Sequence, residues 1–213
     1  MATNSSAIAP HVTARGESRA HAQGGISNPI LGMILFIVSE VMFFAGLFAA
    51  YFNVRLNATQ WPPFVNEQPF EGFSLHTLEH VPVAATLTAI LVLSSVTMQL
   101  AVRAIRRGDR TGFLRNTGVT LVLGVIFLAG QLWDYSGLHF GITDTAFGST
   151  FYTLTGFHGA HVLAGAIMLS VLLYRGMAGQ FSAKHHDAVE ATSIYWHFVD
   201  VVWIALFSTL YLL

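Results

Sequence analysis

Glu40, His158, His161, His197 and Asp200 stand in stretches where almost every neighbour is apolar. An ionisable side chain surrounded by hydrocarbon is costly, so each is a functional candidate by default. His158 and His161 are spaced i, i+3, as are His197 and Asp200, and helical residues three apart share a face. A carboxyl such as Glu40 is then expected either to pair with a histidine or to hold a proton. One arrangement is a polar knot joining the segments that carry Glu40, His158/His161 and His197/Asp200. The chemistry would be proton holding or modest reactivity. The plainer alternative, that these groups satisfy one another only to fix helix packing, stands beside it. H-x-x-H lacks the i, i+4 spacing of zinc-binding H-E-x-x-H. The adjacent pair His185 and His186 is more readily a solvent-exposed pair than a metal site. No metal ligands are expected on this chain. No Ser/His/Asp triad, phosphate loop or dinucleotide fingerprint is found in a suitable context.

The elements that must position these residues follow from composition. Of 213 residues, 10% are charged and 54% hydrophobic, against roughly 25% charged in a soluble domain. So few charges cannot cover the surface of a water-soluble globule. Net charge −1 without a basic stripe excludes a nucleic-acid binder. The absence of cysteine excludes disulfides, thiolate metal sites and a Cys nucleophile. Five segments, 31–52, 81–102, 116–138, 150–174 and 192–213, reach the roughly 20 apolar residues of a membrane-spanning helix. The fold class expected is all-α, a polytopic bundle of five transmembrane helices over 29–213. Residues 1–28 are expected to form a mobile cytoplasmic tail, without the apolar stretch of a cleaved signal. An N-terminus inside and a C-terminus outside would place nine of the ten Lys and Arg on the inner side, leaving Arg55 outside.

At 1.5 Å per residue, Glu40 lies about 13 Å from the inner end of its span and Asp200 about 12 Å. His161 lies about 16 Å from the outer end of the oppositely directed fourth span. In a hydrocarbon core about 30 Å thick the three could share one level. Trp61, with Pro62 and Pro63, is expected in the longest outside loop, Trp133 and Tyr135 near an outer boundary, and Tyr195 and Trp196 near an inner one. Small-xxx-small pairs (Gly46 with Ala50, Ala45 with Ala49, Gly156 with Ala160, Ala160 with Ala164) are expected where helices meet closely. Five helices without a pore-like stripe or nucleophile suggest a subunit rather than a solitary enzyme.

Three long strings resemble subunit III of the haem–copper respiratory oxidases, in the cytochrome c oxidase type and the five-helix form common in bacteria. They are 32–44 (GMILFIVSEVMFF); 148–152 (GSTFY) with 155–162 (TGFHGAHV); and 195–203 (YWHFVDVVW) with His185, His186 and Glu190. Ser94-Ser95-Val96-Thr97 and Gly108-Asp109-Arg110 also fit, so the resemblance covers about residues 29–213. It implies a non-redox accessory subunit of a proton-pumping terminal oxidase in the plasma membrane. Such a subunit packs on catalytic subunit I, alongside subunit II and a small subunit IV. Haem and copper belong to those partners; this chain would carry no cofactor beyond bound phospholipid. The resemblance places Glu40 at the family's reactive buried glutamate. It gives His158, His161, His197, Asp200 and Trp203 structural or lipid-facing roles. Longer members have two further helices, so the wall of their lipid cleft must here come from elsewhere or be absent. Asp134 stands where the family often has Glu. Ser39-Glu40 leans toward cytochrome c as donor over quinol. An independent proton or solute carrier using Glu40, and a membrane haem protein, are the competing functions.

Overall fold

A computed structural model describes residues 26–58, 64–65, 68–69, 80–138 and 140–213. Among them are five helices long and apolar enough to cross a membrane: α1 (Asn28–Asn57), α2 (His80–Arg106), α3 (Arg110–Gly137), α4 (Ala146–Met177) and α5 (Asp187–Phe207). A π-helical turn, Ser208–Leu212, continues α5. Between α1 and α2 lie two short antiparallel strands, β1 (Phe64–Val65) and β2 (Gln68–Pro69), with Phe64 opposite Pro69. Sequence periodicity gave no sign of this hairpin, because four residues are too few to show a pattern. The all-α class stands.

The helices run past the apolar segments that define them. The gap between the apolar segments 81–102 and 116–138 shrinks to a tight turn, because α2 continues to Arg106 and α3 begins at Arg110. Arginines can stay helical near a span's end while their heads reach toward water, so hydropathy ends before the helix does. Gly108, at φ +76, supplies the left-handed residue the reversal needs. Asp109 then caps α3, its carboxylate accepting the Gly112 N–H at 2.8 Å. Thr145 caps α4 in the same way, accepting from Gly148 N–H at 2.9 Å. Pro29 occupies the first turn of α1, where its missing N–H costs nothing. The tail at 1–25, with Arg15 and Arg19, and the Trp61-Pro62-Pro63 run lie outside the described residues.

α2 packs on α3 and α3 on α4; α5 packs against α2 and α4, while α1 rests on α4 and α5. α5 is the central helix, burying Tyr195, Trp196, Val199, Asp200, Val202, Trp203 and Leu206. Tyr195 and Trp196, expected as boundary aromatics, are both packed inside the bundle instead of facing lipid. The Trp196 indole is fully buried, held where Gly124 of α3 and Gly165 of α4 leave room for it. A Cβ on Gly124 would stand 2.6 Å from the ring, and one on Gly165 2.8 Å. Its N–H donates to Ser94 Oγ of α2 at 2.9 Å, so one side chain binds four helices. The expected small-residue contacts also fall elsewhere. A Cβ on Gly46 or Gly156 would meet nothing within 4 Å, and Ala45, Ala49, Ala50, Ala160 and Ala164 are exposed. The close approaches are at Gly124, Gly130, Gly165 and Gly176. Small-xxx-small spacing marks a face and does not say which face has a neighbour.

Candidate functional site

α1 is almost entirely apolar and buries only Phe44 and Tyr51 among its thirty residues. Glu40 sits one turn before Phe44, on the side turned toward α4. There its Oε2 lies 2.9 Å from His161 Nε2, the two side chains being 18% and 15% exposed. The other ring nitrogen fixes the proton count. His161 Nδ1 is 2.7 Å from the Phe157 carbonyl oxygen, which can only accept, so Nδ1 carries a hydrogen and donates. Nε2 therefore either accepts from a protonated Glu40 or, with the ring charged, donates to the carboxylate. Both states place one proton on the Glu40–His161 contact. A carboxylate facing a bare Nε2 would set lone pair against lone pair. Phe43 and Phe44 lie beside the imidazole, at 6.3 and 5.0 Å between ring centroids. Tyr195 of α5 donates to the His161 carbonyl at 3.0 Å, tying this turn of α4 to the central helix.

A second polar group lies between α2 and α5. Ser95 Oγ donates to Asp200 Oδ2, and His197 Nδ1 lies 2.8 Å from the same hydroxyl. Ser95 has one proton to give. With it on Asp200, the bond to His197 is supplied by the imidazole N–H. Gln99 Oε1 lies 3.4 Å from His197 Nε2. Asp200 is buried, and its Oδ1 has no hydrogen-bond partner among the described residues. Three residues on, Trp203 N–H donates to Thr88 Oγ1 at 2.9 Å.

The structure thus sorts the five ionisable candidates differently from a single knot. Glu40 pairs with His161 across α1 and α4. Asp200 and His197 bond to α2, a helix the sequence reading left out because it carries no ionisable group at depth. His158 bonds to neither set. It is buried, with its ring stacked on Trp203 at 5.0 Å and edge-on to Phe127 at 5.7 Å. The spacing of Ser95 and Gln99, one helical turn apart, was the available signal for the α2 partners. Asp134 is buried toward the end of α3, where Tyr135 Oη donates to Thr155 Oγ1 at 2.6 Å.

On the turn that follows α4, His185 is exposed. His186 Nε2 lies 3.0 Å from Glu190 Oε1, which also receives Arg106. That trio clamps the C-terminal end of α2 to the start of α5. Among the described residues no three His, Asp or Glu side chains converge as ligands of one metal ion.

A family model described as cytochrome c oxidase subunit III matches residues 5–213. The cytochrome c oxidase subunit 3 of Corynebacterium diphtheriae is 46% identical over 184 residues, covering 85% of this chain and 86% of that protein. That of Synechocystis is 41% identical over 199 residues, 93% of this chain and 81% of the relative. The pig protein is 40% identical over 185 residues, 84% of this chain and 67% of its own length.

Proposed function

We infer the role of the chain from one premise: it belongs to the cytochrome c oxidase subunit III family, and is therefore a multi-pass membrane subunit of an oxidoreductase complex, the terminal oxidase, assembled with other oxidase subunits. Within that complex the reading is of a non-redox accessory subunit, with the N-terminus on the cytoplasmic side of a bacterial plasma membrane. Catalytic subunit I would be its main neighbour, with subunit II and a small subunit IV alongside. Those partners would hold the haem and copper and take electrons from cytochrome c. The sparsely buried α1, with Leu35, Val38 and Met42 exposed, offers a broad apolar face for such packing or for lipid.

The observation that carries the reading is the Glu40–His161 contact. It holds one proton at membrane depth on a helix only lightly embedded in its own bundle. A proton kept there serves as a local reserve beside a machine that consumes and pumps protons. It need not lie on the path of O2 reduction. Replacing Glu40 by Gln removes the exchangeable acid and keeps a hydrogen-bonding group of the same size. In the assembled oxidase the Glu40→Gln variant is expected to start within about a factor of two of the wild-type rate, about 0.4 kcal/mol of barrier. It should then lose activity after fewer turnovers or pump fewer protons per electron. Oxygen-electrode traces with proton counting read both. Immediate loss of O2 reduction in a fully assembled complex would overturn the non-redox assignment. Isolation in mild detergent without haem- or copper-bearing partners would overturn the accessory-subunit reading.

A further inference from the structure

On α5 the polar residues Glu190, Ser193, His197 and Asp200 follow one another in steps of three and four, which sets them in a stripe along one side of the helix. α2 faces that stripe with Arg106, Gln99 and Ser95, a series that only Val102 interrupts. The two series meet at both ends. At one end Arg106 Nη2 and Nε lie 2.8 and 2.9 Å from Glu190 Oε1, with His186 Nε2 at 3.0 Å from the same oxygen. At the other, Ser95 joins His197 to Asp200, and His197 Nε2 faces Gln99 Oε1 at 3.4 Å. From Glu190 to Asp200 α5 rises about 15 Å, and from Arg106 to Ser95 α2 rises about 17 Å, so the series stay in register. Ser193 and Asp200 are buried, and Ser95, Gln99 and His197 half-buried. Val96, Val201 and Ile204 beside them are exposed and apolar. A polar seam thus runs from the α4–α5 turn into the span and ends on a carboxyl.

We propose that this seam passes protons between the water at the α4–α5 turn and Asp200, a second proton-exchanging carboxyl that works apart from Glu40. With Asp200 ionised, His197 Nδ1–H donates to Ser95 Oγ and Ser95 O–H to Asp200 Oδ2. A proton delivered by hydronium to the bare Nε2 charges the ring. Nδ1 then releases its proton to Ser95 Oγ as the Ser95 proton crosses to Oδ2. The products are water, a neutral Asp200 acid and a neutral imidazole whose Nε2–H donates to Gln99 Oε1. One proton has entered, and the reverse sequence returns it. A histidine with a polar partner on each ring nitrogen suits such a shuttle. The step relieves a buried carboxylate whose Oδ1 has no hydrogen-bond partner among the described residues. Arg106, Glu190 and His186 are the charged or titratable groups at the mouth, with Arg103 exposed beside them. On the α1 and α4 sides of α5, Glu40 and His161 face each other, and His158 is enclosed by Trp203 and Phe127. The inference needs only that α2 and α5 cross the bilayer, so its failure would leave the oxidase-subunit reading untouched.

The test follows hydrogen–deuterium exchange on the carboxyl itself. The purified complex carrying the full chain, in phosphatidylcholine vesicles, is mixed into D2O, and the carboxylic C=O stretch is recorded by time-resolved infrared spectroscopy. The band that disappears in Asp200→Asn belongs to this group, and in the wild type it should shift soon after mixing. Ser95→Ala removes the relay hydroxyl and Ser193→Leu closes the seam between His197 and the mouth. Each should slow the shift by about tenfold, equivalent to about 1.4 kcal/mol of barrier. Val96→Leu, at the same level but on the exposed side of α2, should leave the rate unchanged. If Ser193→Leu does not assemble, His197→Phe gives the same readout with the ring shape kept, and slowed exchange is again expected. Unchanged exchange in Ser95→Ala or in the second variant overturns the proposal. So does equal slowing in Val96→Leu, which would make the effect one of general packing. Absence of any carboxylic band assignable to Asp200, at every pH the complex withstands, would mean that the group takes no proton and would overturn it as well.

Discussion

The His158 ring lies 5.0 Å from the Trp203 indole at an interplanar angle of 30°, and neither of its nitrogens has a hydrogen-bond partner among the described residues. What holds it is ring contact, with Phe127 closing the other edge. Phenylalanine reproduces that contact. His158→Phe is therefore expected to change the unfolding free energy of the solubilised protein by less than about 1.5 kcal/mol. His158→Ala, which opens a cavity between α3, α4 and α5, should cost about 3 kcal/mol. Denaturant titrations in detergent compare the two, and an equal loss in both would mean that a ring nitrogen matters. Glu40, His161 and Asp200 could be picked out in the sequence because each interrupts a long apolar run. Which histidine of α4 meets the carboxyl could not. Residues three apart on a helix point about 60° away from each other. That rotation sends His161 to α1 and His158 into the centre. Ser95 stands in the sequence only as part of a resembling string, and its role as a partner is hidden for a different reason: a hydroxyl in a membrane helix can bond its own backbone instead, as Thr88 and Ser94 do here.

The packing of α5 against its neighbours turns on Trp196, and on glycines that let α3 and α4 come close to its ring. Gly165→Ala puts a methyl carbon 2.8 Å from two ring atoms of the indole, with Tyr195 at 3.3 Å on the other side. The indole cannot slide away without giving up its bond to Ser94. Overpacking of this kind costs about 1–3 kcal/mol, and the loss should appear as a lowered midpoint of thermal unfolding. Gly156→Ala, on the same helix but facing open space, should leave the midpoint unchanged or raise it slightly. The number and order of the helices could be read from hydropathy alone. Their ends could not, since Arg103, Arg106, Arg110 and Arg115 are polar by type and helical by place. The positions of close contact could not be read either. They depend on which ring fills the space opposite a glycine, and that ring comes from α5, far along the chain.

Across the whole molecule, burial falls off from α5 to α1. The central helix is anchored at one end by the Arg106–Glu190–His186 cluster, and α1 is tied to the π-helical turn by Tyr51 Oη, which donates to the Thr209 carbonyl at 3.3 Å. Between those fastenings α1 adds little core of its own, so much of its surface is left for whatever lies beside it in the membrane. Neither property was legible in the sequence: α1 has the highest mean hydropathy of the five spans and yet is the least enclosed. Hydropathy measures affinity for hydrocarbon and does not distinguish lipid from protein. The indoles follow the same gradient. Trp196 and Trp203 are sealed in the centre, whereas Trp133 is 69% exposed on α3. With Trp61 changed to Phe, brominated acyl chains should quench the Trp133 emission and leave a blue-shifted remainder, measurable by steady-state fluorescence. That remainder is an optical gauge of the bundle's interior, present in the native chain without an attached dye.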